Sequence, residues 1–141
     1  MAVRFFSEEV PFKLAHPRKT TNWIKKAIEM EKGALGELNY IFCSDAYLLS
    51  INQSYLNHNT LTDIITFDYR EKGSKEPISG DIYISLERVE ENAQKFQVSF
   101  DLELHRVIIH GVLHLLGYKD KKTADKALMR KKEEAYLSLR K

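Results

Sequence analysis

The feature that most constrains the fold is an apolar stretch near the C-terminal end, residues 105–120, with the sequence HRVIIHGVLHLLGYKD. A helix built from this stretch is apolar on nearly every side, which is typical of a helix buried in the interior of a protein. We therefore predict a central helix at residues 101–116, around which the rest of the chain packs.

Two histidines in this stretch have the spacing of metal ligands. His110 and His114 lie four residues apart, so on an α-helix both rings leave the same face, one turn apart. Gly117 follows the last predicted turn and favours the left-handed conformation that reverses the chain, which brings Asp120 back toward the histidines. Three protein ligands and an open fourth position are typical of a catalytic zinc site. We predict that His110, His114 and Asp120 hold one Zn²⁺ or another divalent transition metal.

The same pattern limits the chemistry of the site. In zinc peptidases with an H-E-x-x-H motif, the general base directly follows the first histidine, and this chain has Gly111 there. A bound metal can still lower the pKa of its water and polarise a phosphoryl or carbonyl oxygen, so metal-dependent hydrolysis remains compatible with the sequence. His105 lies five residues before His110 and is therefore rotated from it by about 140° around the helix axis, so it does not join the metal ligands. Two hydrogen-bonded core histidines without a metal are the open alternative.

The block HGVLHLLGY, with the apolar helix before it and a third ligand position after it, resembles the signature of the YbeY family of metal-dependent endoribonucleases. Residues 49–67, the segment GDIYIS at 80–85 and residues 129–137 also resemble family segments, in the same order. The resemblance implies a four-stranded mixed sheet with one antiparallel strand. It also implies a single-strand-specific endoribonuclease that acts in ribosomal RNA maturation, at the 3′ end of the small-subunit RNA, and in ribosome quality control.

Two positions depart from the pattern of that family. The family usually has a histidine where this chain has Asp120, and a carboxylate leaves the ion less positive than an imidazole does. We therefore expect a higher pKa for the bound water and a shift toward harder metals. The family also usually has an arginine, thought to face the substrate phosphate, where this chain has Leu56, and leucine cannot make that bidentate contact. A protonated His58 is the expected substitute.

The positive charge of the chain is concentrated just beyond the metal-site motif. The net charge of +2 does not by itself indicate nucleic-acid binding. We expect Lys119, Lys121 and Lys122 of this cluster, together with His58, to bind RNA phosphates. A solvated helix face is the alternative, since Asp125, Glu133 and Glu134 are interspersed. The cluster consists of Lys119, Lys121, Lys122, Lys126, Arg130, Lys131 and Lys132.

Two further residues are expected to support the metal ligands. Asp63 follows Thr62 at the start of a predicted strand, and its carboxylate is placed to orient a ligand histidine or a phosphate. A simple turn or cap carboxylate is the alternative for Asp63. Tyr118 directly follows the chain-reversing Gly117 and is expected to lie beside the site.

Hydrophobic periodicity in the rest of the chain predicts four strands interleaved with helices, and so an α+β fold with a small mixed sheet and about five helices. The predicted strands are residues 3–6, 37–43, 63–69 and 80–85. The first predicted helix is capped by Thr20 or Thr21 and runs to residue 32, and the second is capped by Ser44 and runs to residue 56. The third is capped by Ser85 and runs to residue 96, and the fourth spans residues 101–116. The fifth is capped by Thr123 and runs close to residue 139. A turn is predicted at residues 57–60. The whole chain, residues 1–141, is expected to form a single domain.

The composition of the chain indicates its cellular compartment and the kinds of partner to expect. The single cysteine, Cys43, rules out a disulfide framework and is compatible with a reducing compartment. Charges within the first ten residues argue against a signal peptide or a membrane span. We expect a cytoplasmic protein that acts on single-stranded RNA, with ribosomal small-subunit components as candidate partners and with neither DNA nor a membrane.

Two other functions stay open at this point. A ribosome assembly or RNA-binding factor that keeps the fold and the metal without catalysis is favoured by Leu56 and Asp120. A metal-dependent hydrolase of another substrate, such as an amide, is disfavoured by Gly111.

Overall fold

The computed structural model describes residues 2–56, 62–71 and 76–140. The predicted turn at residues 57–60, with His58, therefore lies outside the described residues. The described elements, in chain order, are β1 (Ala2–Ser7), α1 (Pro17–Met30), β2 (Leu35–Cys43), α2 (Asp45–Leu56), β3 (Ile64–Asp68), β4 (Ile78–Ser85), α3 (Leu86–Phe96), α4 (Phe100–Leu115) and α5 (Thr123–Ser138). The α+β class with its five helices is confirmed.

The four strands form one mixed sheet in the order β1-β2-β4-β3. Strands β1 and β2 are parallel, as are β2 and β4, because a helix crosses over between the strands of each parallel pair. Strand β3 is antiparallel to β4 and places Ile65 opposite Tyr83. The predicted sheet with one antiparallel strand is confirmed, and β2 lies in its interior as its apolar residues on both faces predict.

Helix α4 packs against the sheet at the centre of the core. Ile108, Ile109 and Val112 are fully buried, and the Tyr40 hydroxyl donates to the Ile108 carbonyl at 2.9 Å. Gly111 permits this close approach: a Cβ there would lie 3.1 Å from side-chain atoms of Ile64 and Ile82. The predicted central buried helix is confirmed, and its glycine reflects packing against β3 and β4.

Two helix starts differ from the sequence prediction. Helix α1 begins at Pro17 rather than near Thr20, because proline is preorganised for the first helical position and its missing N–H costs nothing there. Its N-cap, His16, has a left-handed conformation and makes no side-chain cap hydrogen bond. Thr123 is the first residue of α5, and the N-cap is Lys122, again without a side-chain cap bond. The predicted caps at Thr20 or Thr21 and at Thr123 are therefore wrong.

The other predicted caps are confirmed. Ser44 Oγ accepts from the Tyr47 amide at 3.1 Å, and Ser85 Oγ accepts from the Arg88 amide at 3.3 Å. Helix α4 starts one residue earlier than predicted because Ser99 caps it, accepting from the Leu102 amide at 3.0 Å. Across the described ranges, no helix combines the length and apolar character needed to cross a membrane.

Candidate metal centre

Helix α4 presents His110 and His114 from the same face, as their spacing requires. The two rings lie with centroids 6.1 Å apart and planes inclined at 76°. The His110 side chain is largely buried, with 18% exposed, whereas His114 is exposed. The two rings therefore occupy the floor and the edge of one depression.

The chain reverses at Gly117, directly after α4. Gly117 has φ +109°, and its amide donates to the His114 carbonyl at 3.0 Å. The Tyr118 amide donates to the Leu113 carbonyl at 3.0 Å, which completes a helix-terminating pair of bonds. Because of this reversal, Asp120 Oδ2 lies 3.2 Å from His110 Nε2. The structure thus brings Asp120 to the histidine from which it is ten residues distant in the sequence.

The other ring nitrogen of His110 is held by a buried carboxylate from α5. His110 Nδ1 donates to Glu133 Oε2 at 2.7 Å, and Glu133 is only 6% exposed. Carboxylates in this position fix the tautomer and orientation of histidines that bind metals. The alternative in which Glu133 belongs to a solvated helix face is therefore wrong for this residue. A usable signal exists: Glu133 stands between Met129 and Tyr136 at helical spacing, and these three residues form the buried stripe of α5.

An arginine on α4 supports Glu133. Arg106 Nη1 lies 3.4 Å from Glu133 Oε1 and donates to Glu134 Oε1 at 2.8 Å. Its Nε lies 3.3 Å from Glu103 Oε1, without hydrogen-bond geometry, so that this buried oxygen has no hydrogen-bond partner among the described residues. Burial raises the pKa of Glu103, and the Arg106 charge partly offsets this rise. Arg106 therefore faces three carboxylates at once.

The surroundings of His110 favour its charged form. Burial of the ring lowers its pKa, but the hydrogen bond and charge of Glu133, together with Asp120 and Asp63, outweigh burial and raise the pKa above its usual value. Asp63 lies nearby with a pKa raised by burial, and the charge of His110 counteracts part of that rise. Since an imidazole must lose the proton on its ligating nitrogen to bind a metal, metal and proton compete for His110 Nε2.

These residues line a cleft of about 790 Å³ between α4, α5 and β3. Its walls also include amide and hydroxyl side chains, among them Asn52 on α2, Thr66 on β3 and Asn92 on α3. Lys121 and Arg130 add positive charge on the side of α5. Most of the residues that line the cleft therefore carry polar or charged side chains, which suits a charged ligand.

The remaining residues predicted for the site lie in different places. Asp63 lines the cleft, but the hydrogen bond to His110 comes from Glu133. Lys119, Lys121 and Lys122 are all exposed. Of these three lysines, Lys121 lines the cleft, and Lys119 and Lys122 lie outside its lining. Tyr118 is not among the residues that line the cleft, and its hydroxyl donates to Glu31 Oε1 at 2.5 Å, which ties the Gly117 turn to the end of α1. His58 lies outside the described residues, and Leu56 is the last residue of α2.

The donor set fits a zinc-type ion. Across residues 2–56, 62–71 and 76–140, no group of three or more His, Cys, Asp or Glu side chains is arranged so that it could hold a metal ion. His110 Nε2 and Asp120 Oδ2 instead face each other directly. Two imidazoles and one carboxylate, with one imidazole fixed by a buried carboxylate, nevertheless form a ligand set that zinc accepts.

Comparison with known proteins decides the family. The model of the family described as Endoribonuclease YbeY matches residues 7–140 of this chain. The chain belongs to the endoribonuclease YbeY family. The resemblance inferred from HGVLHLLGY is thereby confirmed.

Other YbeY proteins are similar over nearly the whole chain. A Flavobacterium psychrophilum protein named endoribonuclease YbeY is 54% identical over 134 residues, covering 95% of this chain and 94% of that protein. A protein of the same name from Bacteroides thetaiotaomicron is 44% identical over 140 residues, covering 99% of this chain and all of that protein. The solution structure of TM1509 from Thermotoga maritima is 26% identical, with a TM-score of 0.66, covering 97% of this chain and 87% of that one. The YbeY-family chain therefore shares both sequence and fold with these proteins.

Proposed function

We propose that this YbeY-family chain is a metal-dependent endoribonuclease whose active site is the cleft between α4, α5 and β3. The observation that carries the proposal is the position of His110, whose two ring nitrogens face Glu133 at 2.7 Å and Asp120 at 3.2 Å. The relatives named endoribonuclease YbeY support an RNA-cleaving reaction. The YbeY family block supplies both histidines of the cleft.

In this proposal His110 Nε2, His114 and Asp120 hold one ion of the zinc type. When bound, such an ion supplies an activated water and stabilises negative charge on a phosphoryl group. Glu133 accepts a hydrogen bond from the Nδ1–H of His110 and so leaves the Nε2 lone pair directed into the cleft. Arg106 Nη1 lies 3.4 Å from the other oxygen of Glu133, Oε1, and so helps to hold the side chain that accepts this hydrogen bond. Because the third ligand, Asp120, is a carboxylate, we expect the site to prefer harder metals than a site with a third histidine would.

The proposed substrate is single-stranded RNA, in particular a precursor of ribosomal RNA cut near the 3′ end of the small-subunit RNA. The polar lining of the cleft and the cations on its α5 side suit a phosphate backbone. An unpaired strand can present its backbone and bases to such a cleft, whereas a duplex shields its bases. The cytoplasm and small-subunit components of the ribosome remain the proposed setting and partners.

Cleavage of a labelled single-stranded RNA by metal-loaded protein tests this function. We expect cleavage by the wild-type chain, loss on chelation, recovery on adding back the metal, and loss in His114→Ala. Lys25→Ala, which removes an exposed lysine of α1 outside the cleft lining, is the control and should cleave normally. Binding of RNA without cleavage, with folded and metal-loaded protein, would instead support an assembly factor that does not catalyse.

A further inference from the structure

Three cationic side chains line the described part of the cleft: Arg106, Lys121 and Arg130. A cation can bind a substrate phosphate strongly only if protein carboxylates do not already neutralise it. The three side chains differ in this respect, and the difference separates a structural cation from one available to a ligand.

Arg106 is committed to the protein. Its side chain is 13% exposed and lies within ion-pair distance of Glu103, Glu133 and Glu134, the longest of the three contacts being 3.4 Å. Removing it from these carboxylates to bind RNA would take the neighbouring positive charge away from the buried Glu103 and leave the buried Glu133 with His110 alone, which is costly. Arg106 therefore acts on Glu133 rather than on a substrate.

Arg130 is in the opposite situation. Its side chain is 56% exposed, and its ion pair with Glu134 Oε1 spans 4.0 Å. That same oxygen already accepts a hydrogen bond from Arg106 at 2.8 Å, so its charge is largely satisfied. An exposed pair at this distance contributes little, and the guanidinium can leave it at small cost. Arg130 thus offers its N–H donors at the mouth of the cleft.

The position of Arg130 indicates what it binds. It precedes Glu133 by one turn of α5, and Glu133 holds His110 on the floor of the same cleft. The greater exposure of Arg130 relative to His110, 56% against 18%, puts it at the rim rather than at the proposed metal ligands. A planar guanidinium binds two phosphate oxygens at once, which an ammonium cannot do.

We infer that Arg130 binds a backbone phosphate of the RNA that flanks the scissile position, and that it acts in substrate binding. This inference rests on the proposed endoribonuclease function. Lys121, on the same side of the cleft, adds a weaker point charge. Because the contact is made equally in the bound substrate and in the transition state, it lowers KM and leaves kcat nearly unchanged.

The test compares Arg130→Ala, Arg130→Lys and Lys131→Ala with the wild-type chain. Lys131 is exposed on the same helix but outside the cleft lining, so its substitution removes the same charge without touching the proposed contact. Steady-state cleavage of a labelled oligouridylate gives KM and kcat at several salt concentrations. Metal content and the thermal midpoint establish that each variant is folded and loaded.

For Arg130→Ala we expect KM to rise about 10-fold while kcat stays within about two-fold. The slope of log KM against log salt should fall by about 0.7, the loss of one phosphate contact to a single strand. Arg130→Lys should lie between wild type and alanine, and Lys131→Ala should match the wild type. Equal effects of Arg130→Ala and Lys131→Ala would overturn the inference, as would a loss of kcat or of metal in Arg130→Ala.

Experiments with the same oligouridylate distinguish a failure of this inference from a failure of the proposed function. If the wild-type chain leaves oligouridylate intact, the proposed function fails, and fluorescence anisotropy of the strand gives the dissociation constants directly. A selective weakening in Arg130→Ala would then still support the phosphate contact. No binding by the wild-type chain, or equal binding by all variants, would refute it.

Discussion

His105 and His110 stand on the same helix and have opposite surroundings. His105 is 3% exposed, its Nδ1 donates to the Asp101 carbonyl at 2.8 Å, and the Thr20 hydroxyl lies 3.4 Å from its Nε2. His110 has a carboxylate at each ring nitrogen. The hydrogen-bond partners of His105 are therefore neutral groups, and the one carboxylate near it, Asp101 Oδ1 at 3.4 Å from Nδ1, belongs to a side chain that is 63% exposed. His110 instead faces two carboxylates at the edge of a cleft.

This comparison shows that partners, more than burial, decide what a histidine does. Burial lowers the pKa of His105, and its hydrogen bond to the Asp101 carbonyl offsets this only in part. For His110 burial also lowers the pKa, but the carboxylates more than compensate. A ring between neutral partners packs the core, whereas a ring between Glu133 and Asp120 can exchange its proton for a metal.

The largest effect is expected when each of the two histidines is replaced by alanine. His110→Ala removes a proposed metal ligand, and we expect RNA cleavage to fall at least about 100-fold. His105→Ala removes a core side chain on another face of α4, and the folded fraction should keep its activity per metal ion. Cleavage rates normalised to metal content check both variants. Similar losses of normalised activity in the two would contradict the division of roles.

The next largest effect concerns the carboxylate that holds His110. Glu133→Gln keeps the size of the side chain but removes its charge, and we expect metal affinity to fall about 10- to 100-fold. Glu134→Gln is the matched control, because Glu134 is the neighbouring residue but is 57% exposed. Competition with a chromophoric chelator measures both affinities. Equal affinities in the two variants would show that Glu133 does not orient a ligand.

For His105 the expected effect is on stability. His105→Ala leaves the Thr20 hydroxyl without its partner and opens space beside Trp23, whose ring centroid lies 5.8 Å away. We expect a loss of about 2 kcal/mol in the free energy of unfolding. Urea unfolding of the variant and of the wild type measures this difference. A change below about 0.5 kcal/mol would mean that His105 is not a core residue.

The smallest effect, and the most direct comparison, is the titration of the two rings in metal-free protein. His105 should titrate below the usual histidine value of about 6.5 and His110 above it. Because the folded pKa of His105 is lowered, its contribution to stability is complete above about pH 6.5 and is lost as the pH falls toward the folded pKa. For His110 the sign is opposite: stability is present below about pH 6.5 and lost as the pH rises through the raised folded pKa. NMR of the ring protons in wild type, His105→Gln and His110→Gln assigns each titration, and the reverse order would contradict this account.

Local features of this chain were predictable from the sequence. The apolar block of α4, the shared face of His110 and His114 and the reversal at Gly117 all depend on neighbours within a few residues. Asp120 follows from the same local turn. Ser44 and Ser85 were recognised as caps because their side chains have the usual capping chemistry.

The features that were missed depend on distant contacts or unusual caps. Glu133 comes from another helix, and its charge favours the alternative of a solvated face as long as the packing of α5 against α4 is unknown. Asp63 was expected near His110 and does line the cleft, but sequence could not show that Glu133 takes the hydrogen bond. The start of α1 was misplaced because His16 is not a usual capping residue and Pro17 carries the signal instead.

The central claim is that His110, His114 and Asp120 hold one ion, and elemental analysis of protein purified without affinity metals or chelators tests it most directly. Wild type, His114→Ala, Asp120→Ala and the exposed-site control Lys119→Ala would be loaded and dialysed together. The account predicts about one zinc-type ion per chain for wild type and Lys119→Ala, and loss of the ion from the other two. Equal metal content in all four proteins, or none in the wild type after loading, would contradict it.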